Sequence, residues 1–235
     1  MLDQFRIIDL TQPLFVNAPT WNGSCGFCLE IKKDYDKIFR VQQIKMHAGV
    51  GTHIDAPSHR FEGGISVIEI PLEKLITKAC LIDVSKKAWA DYKISVEDIE
   101  KYEKTFGNIT TDSLVIGFTG WSHFWLDPTK YRNVDATGQM HFPAFSEKAA
   151  EFLLKRHIAG IAIDTLSPDC LDERYPVHQL ILGSGKYIIE NIADCSQLPP
   201  KGAYVIALPL KGKDSTESPL RIIGLIPTHL RNNDA

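Results

Sequence analysis

The chain is expected to fold as a strand-rich α/β domain with about three helices. Short apolar runs rich in β-branched residues recur along its 235 residues, while only three segments carry helical spacing and caps. No Pro/Gly/Ser-rich linker divides the sequence, so residues 1–235 read as one domain, long enough to bury a sizeable core.

The elements follow in order. FRIIDL (5–10) is short, apolar and bounded by turn formers, which favours a strand. FRVQQIKMH (39–47) is less regular but strand-like. ACLIDV (79–84) and SLVIGF (113–118) are strands on either side of SVEDIEKYEKTF (95–106). That segment reads as a helix with Ser95 as N-cap and with Ile99 and Tyr102 on the face of Val96. SEKAAEFLLKRH (146–157) is a second helix, capped by Ser146 and basic in its last turn, and it runs into the strand AGIAID (159–164). A third, short helix over 176–182 starts at Pro176 and stops at Gly183. AYVIAL (203–208) and RIIGLI (221–226) are the last two strands. KGKDSTESP (211–219) between them reads as an exposed hairpin-like loop, and QLPPKG (197–202) as a loop between elements.

Composition excludes several classes. Hydrophobic residues make up 44%, charged residues 23%, and the net charge is -3, so there is no electrostatic footprint for nucleic acid or an anionic membrane. No apolar stretch approaches the eighteen or so residues of a membrane helix. The opening MLDQFRIIDLTQPLF lacks a basic region followed by a long apolar core, so a cytoplasmic protein is expected. The five cysteines (Cys25, Cys28, Cys80, Cys170, Cys195) are then expected as reduced thiols. Cys25 and Cys28 form a C-x-x-C that suits a redox pair or half a zinc site. A redox motif would open a helix and a zinc site would need a second pair, and neither context is present.

The richest stretch is AGVGTHIDAPSH (48–59), with His47 just upstream. In an extended chain His53 and Asp55 face one way with α-carbons roughly 6–7 Å apart. An imidazole and a carboxylate so placed reach one cation at about 2 Å each. Pro57 interrupts the strand and can return His59 to the same pocket. Gly49 and Gly51 permit backbone shapes closed to other residues, and Thr52 is suited to anchor the bend. A lone histidine is usually a solvated or packed residue; this alternation of ligand groups framed by glycines and a proline points to a metal or acid–base site. Further ligands must come from elsewhere, and YPVHQLILGSGKYIIENI (175–192) offers His178 and Glu190. Alone, His178 also fits a cap and Glu190 an exposed position. A carboxylate closing the apolar run 187–189 would, if buried, need a partner or a cation.

Together these residues resemble the metal-dependent cyclase superfamily, which includes bacterial kynurenine formamidases and isatin hydrolases. Its motif H-x-G-T-H-x-D-x-P-x-H is matched by GVGTHIDAPSH (49–59), and its histidine-to-glutamate signature by His178 and Glu190 in IIENI. DLTQPL (9–14), PTW (19–21), TGW (119–121), HFPAFSEKAAEFL (141–153) and GIAIDTLSPD (160–169) extend the likeness over about residues 6–226. The resemblance implies a swivelling β/β/α (cyclase-like) fold, a homodimer or homotetramer, and zinc or manganese. It implies His53, Asp55 and Glu190 on one metal, Asp55, His178 and Glu190 on a second, and His59 as the catalytic acid–base. One position departs: the first histidine of the pattern falls on Gly49. His47 is a substitute only if the glycines fold the segment, since a fully extended chain would hold it roughly 20 Å from His53. One or two ions per chain are therefore expected.

The chemistry implied is hydrolysis of an amide, formamide or lactam C–N bond. A divalent cation lowers the pKa of bound water toward about 7 and polarises the carbonyl, and His59 carries the proton to the leaving atom. Lactone opening, a non-catalytic relative disabled at Gly49, and a thiol redox protein are the other readings. Trp21 and Trp125 are candidates for a flat small-molecule substrate; with Phe27 and Phe124, they equally suit core packing. His123 and His141 carry no assigned role, and Asp164 and Asp169 read as structural.

Overall fold

The computed structural model describes residues 2–229. In chain order the strands are β1 (Phe5–Asp9), β2 (Phe27–Lys33), β3 (Val41–Met46), β4 (His53–Asp55), β5 (Ile76–Asp83), β6 (Lys93–Ile94), β7 (Leu114–Phe118), β8 (Ala144–Phe145), β9 (Gly160–Ile163), β10 (Tyr187–Glu190), β11 (Lys201–Pro209) and β12 (Glu217–Pro227). The helices are α1 (Leu72–Leu75), α2 (Val96–Phe106), α3 (Pro128–Arg132), α4 (Glu147–Leu154) and α5 (Pro176–Gly183). Seven strands close into a barrel-like sheet in the order β12-β11-β5-β7-β9-β10-β4, with β4 returning to β12 and β1 added at the other end of β12. Strands β5, β7, β9 and β10 run parallel; the remaining pairings in this sheet are antiparallel.

The parallel strands read as continuous apolar runs because both of their faces are covered. In β7, Leu114, Ile116 and Phe118 enter the core enclosed by the sheet, while Val115 joins the core beneath the helices. In β10, Ile189 points inward and Ile188 outward. Outside the sheet, α2, α4 and α5 supply Ile99, Leu153 and Ile181 to the second core. A third, smaller core gathers Trp125, Tyr131 and Phe142.

The helix starts follow from their caps. Ser95 and Asp98 form a reciprocal capping box at α2, and Ser146 accepts the Ala149 N–H at 3.1 Å at α4. Helix α4 stops at Leu154, before the expected basic end, and His157 just beyond takes a left-handed φ of +53°. The short α1 and α3 and the strands β2, β6, β8 and β10 were not expected; β2 pairs with β3 as a separate two-stranded arm. The larger correction concerns the loop 211–219. Strand β12 begins at Glu217, and residues 217–219 pair with β4 rather than standing in solvent. Among the described residues, no helix is long and apolar enough to cross a membrane.

Candidate active site

Period-two alternation builds the site. On β4, Ile54 enters the enclosed core, so His53 and Asp55 must face the other way. Glu190 lies opposite His53 on β10, and Glu217 lies opposite Asp55 on β12. His178 comes down on this face from the first turn of α5. All four residues predicted as ligands are buried: His53 is 4% exposed, Asp55 1%, His178 9% and Glu190 6%.

The bend before β4 is fixed by the backbone. Gly51 has a φ of +68°, and an added Cβ would stand 2.4 Å from Leu14 Cδ2, so glycine is required there. The Thr52 hydroxyl donates to the Asn191 carbonyl at 2.6 Å and accepts the Gln12 N–H at 2.8 Å. The Gly51 carbonyl accepts from Asn191 Nδ2 at 3.1 Å and from His53 Nδ1 at 2.9 Å. A carbonyl only accepts, so Nδ1 carries a proton and Nε2 is left aimed into the site. His178 is set in the same way: its Nδ1 lies 2.8 Å from Asp169 Oδ2.

The two carboxylates each turn one oxygen to each imidazole. His53 Nε2 is 3.5 Å from Asp55 Oδ1 and 3.3 Å from Glu190 Oε2. His178 Nε2 is 3.7 Å from Asp55 Oδ2 and 3.3 Å from Glu190 Oε1. Burial opposes the charged form of His53, but the Asp55 and Glu190 carboxylates outweigh it and hold its pKa at about 10. For His178 burial again opposes, and the carboxylates of Asp169, Asp55 and Glu190 raise the pKa well above the usual value. Asp55 is lowered despite its burial, by the charge of His53 and the hydrogen bond from His178. Concentrated negative charge here draws in positive charge, and a divalent cation is able to take the place of those protons. The fit is direct: Asp55 Oδ1 is buried with no hydrogen-bond partner. Among the described residues, two sets of donor atoms each lie within 4.8 Å of one another: His53, Asp55 and Glu217, and Asp55, His178 and Glu190. Asp55 belongs to both.

His59 ends the short turn that starts at Pro57. Its side chain is 36% exposed, Nδ1 is 3.5 Å from Glu217 Oε2, and its ring centroid is 6.3 Å from that of His178. These groups line a cavity of ≈ 540 Å³. Trp21 and Tyr175, ring centroids 6.1 Å apart, stand in its wall.

Several sequence-based expectations need correction. Trp125 is a core residue, 2% exposed, with its indole N–H on the Pro13 carbonyl at 2.9 Å and no part in the cavity. His47 lines the cavity but joins neither donor set. The segment around it is not extended, because the Val50 N–H turns back to the His47 carbonyl. Phe27 and Phe124 lie outside the cavity wall, as do the free, exposed Cys25 and Cys28. Asp164 braces the loop after β7, accepting from Thr119 and Ser122. Asp169 does more than brace a loop: it accepts the Val177 and His178 N–H groups at the start of α5 and orients the His178 ring. Glu217 and Tyr175 went unread. A glutamate in a polar loop carries no signal of its own, and Tyr175 is marked only by a left-handed φ of +51° that the sequence does not show.

Buried imidazoles and carboxylates converging at the floor of an open cavity define an enzyme-type site. The family model described as putative cyclase matches residues 8–170. Isatin hydrolase of Roseibium aggregatum is 31% identical, with 95% of this chain and 93% of that protein aligned. Kynurenine formamidase of Bacillus cytotoxicus is 26% identical, over 92% of this chain and 95% of the relative. The solved structure of isatin hydrolase A from Labrenzia aggregata bound to benzyl benzoate superposes with a TM-score of 0.88 at 33% identity, covering 96% and 95% of the two chains. The chain belongs to the cyclase family, and it is a hydrolase.

Proposed function

We propose that the chain is a metal-dependent hydrolase of an amide, formamide or lactam C–N bond in a small, flat substrate. The observation that carries this is the buried Asp55 Oδ1, without a hydrogen bond, among two imidazoles, each with one nitrogen turned to the same space. The relatives' names point to isatin and a formamide, both compounds with an amide C–N bond. His53, Asp55, His178 and Glu190 would hold the cation, and their nitrogen and oxygen donors suit zinc or manganese. When bound, such an ion polarises the carbonyl and lowers the pKa of its water.

The protein's own groups supply the rest. Asp169 and the Gly51 carbonyl hold the two imidazoles in the tautomer that leaves Nε2 free. Trp21 and Tyr175 offer ring faces to a flat substrate at the cavity wall. His59, exposed and not fixed by a strong hydrogen bond, passes a proton to the leaving nitrogen. One catalytic domain per chain, working as a homodimer or homotetramer in the cytoplasm, completes the proposal.

The test is turnover of isatin and an aryl formamide with and without chelator, together with His59→Ala. That variant should keep its metal by elemental analysis and lose roughly 10²–10⁴-fold in kcat. A His59→Ala enzyme of full activity would sink its acid–base role, and chelator-resistant turnover would sink the metal.

A further inference from the structure

The departure at Gly49 has a counterpart in space. An ideal Cβ built on Gly49 would lie 2.8 Å from Glu217 Oε2, 3.3 Å from its Cδ and 3.4 Å from Oε1. All three nearest atoms belong to one carboxylate. It therefore fills the volume that a longer residue at 49 would enter. Glu217 reaches this place because β12 pairs with β4 at its first residue, opposite Asp55. Its donor atom lies within 4.8 Å of those of His53 and Asp55. The buried Asp55 Oδ1 that lacks a hydrogen bond is the oxygen on the His53 side.

We propose that Glu217 is a metal ligand, standing in for the side chain that Gly49 lacks and completing a cation site with His53 and Asp55. The inference rests on the metal-hydrolase reading above. Gly49 and Glu217 are then a matched pair: the glycine leaves the room, and the glutamate brings the donor from another strand. Exchanging an imidazole for a carboxylate leaves one nitrogen and two carboxylates in the set and adds a negative charge. Oxygen-rich sets favour harder cations, so manganese should be preferred over zinc here more than in a relative with the histidine. The competing role is orientation of His59, whose Nδ1 lies 3.5 Å from the same carboxylate. At that distance the contact is weak for a charge-assisted hydrogen bond.

The experiment is manganese and zinc binding to the full chain, by elemental analysis after dialysis and by titration calorimetry. The variants are Glu217→Gln and the pair Gly49→His with Glu217→Ala, with circular dichroism as the check on folding. The wild type should take up about two ions, and Glu217→Gln should lose one of them or bind it at least roughly 10-fold more weakly. The double variant should recover the lost ion with its preference moved toward zinc. Should Glu217→Gln misfold, Glu217→Asp, which keeps the charge and shortens the reach, should show the same loss of affinity. Unchanged ion count and affinity in Glu217→Gln, with only the pH profile of turnover displaced, would assign Glu217 to His59 and overturn the proposal alone. A wild-type chain that binds no ion would overturn the metal reading with it.

Discussion

Among the described residues, histidines form close pairs with carboxylates at two places, and they do so differently. On the surface, the His141 ring lies between Asp91, 2.8 Å from Nδ1, and Asp135, 3.2 Å from Nε2. Both ring nitrogens are satisfied, and both carboxylates reach solvent. On the outer face of β4 and β10, His53 and His178 use Nδ1 on fixed acceptors and turn Nε2 toward Asp55 and Glu190. There the acceptors are buried, and Asp55 Oδ1 is left without a hydrogen bond. The residue types are the same in both clusters. What separates a structural clamp from a ligand set is which nitrogen the fold occupies and whether water can reach the carboxylates.

The largest effect that would break this contrast is at Asp55, the one residue common to both donor sets. Asp55→Ala should abolish cation binding and turnover, an effect beyond the roughly 10- to 100-fold that loss of an outer hydrogen-bond partner costs. Asp91→Ala, in the surface cluster, should leave bound metal unchanged. Thermal melts give a second readout. Cation at about 100 times its Kd should stabilise the wild type by about 2.7 kcal/mol, or roughly 5–10 °C in a chain of this size. The Asp55→Ala melt should not move. Equal shifts in both proteins would place the cation elsewhere.

Asp169→Asn comes next. It keeps the shape but weakens the hold on the His178 ring and on the two N–H groups at the start of α5. Metal affinity should fall roughly 10- to 100-fold, with about 1 kcal/mol lost from the capped helix start. Loss of stability without loss of affinity would return Asp169 to a purely structural role.

Asp169 also marks where the sequence stopped being readable. Helices α2 and α4 announced themselves because Ser95 and Ser146 are local caps, and the parallel strands β5, β7 and β9 because apolar residues fill both faces. His53 and Asp55 were legible for the same reason: their relation is a two-residue spacing on one strand. His178 and Glu190, twelve positions apart, needed the family pattern to be joined to them. Glu217 was hidden by its surroundings, since KGKDSTESP has the composition of an exposed loop and only the pairing of its end with β4 carries Glu217 to the site. Trp125 failed in the opposite direction: proximity to a matched motif says nothing of which side of a turn an indole faces. Its ring packs edge-on to Tyr131 with centroids 5.1 Å apart. Local signals were read, and contacts created by strand closure were not.

The smallest expected effect lies at the surface clamp. Hydrogen bonds to Asp91 and then Asp135 raise the pKa of His141 above its usual value. A group whose folded pKa is raised stabilises the fold fully below its unfolded pKa of about 6.5, and that contribution is lost as pH climbs through the folded pKa. His141→Gln should therefore lower the melting temperature most near pH 6 and less near pH 9. What remains at high pH is the single hydrogen bond that a neutral ring donates. Because the cluster is solvent-exposed, its full worth is about 1 kcal/mol or less, roughly 2–4 °C at most, and salt should shrink it further. Metal content should not change at either pH. A gap that widens as pH rises would show that His141 works as a neutral ring, and the contrast between a protonated clamp and a cation-holding site would lose its surface half.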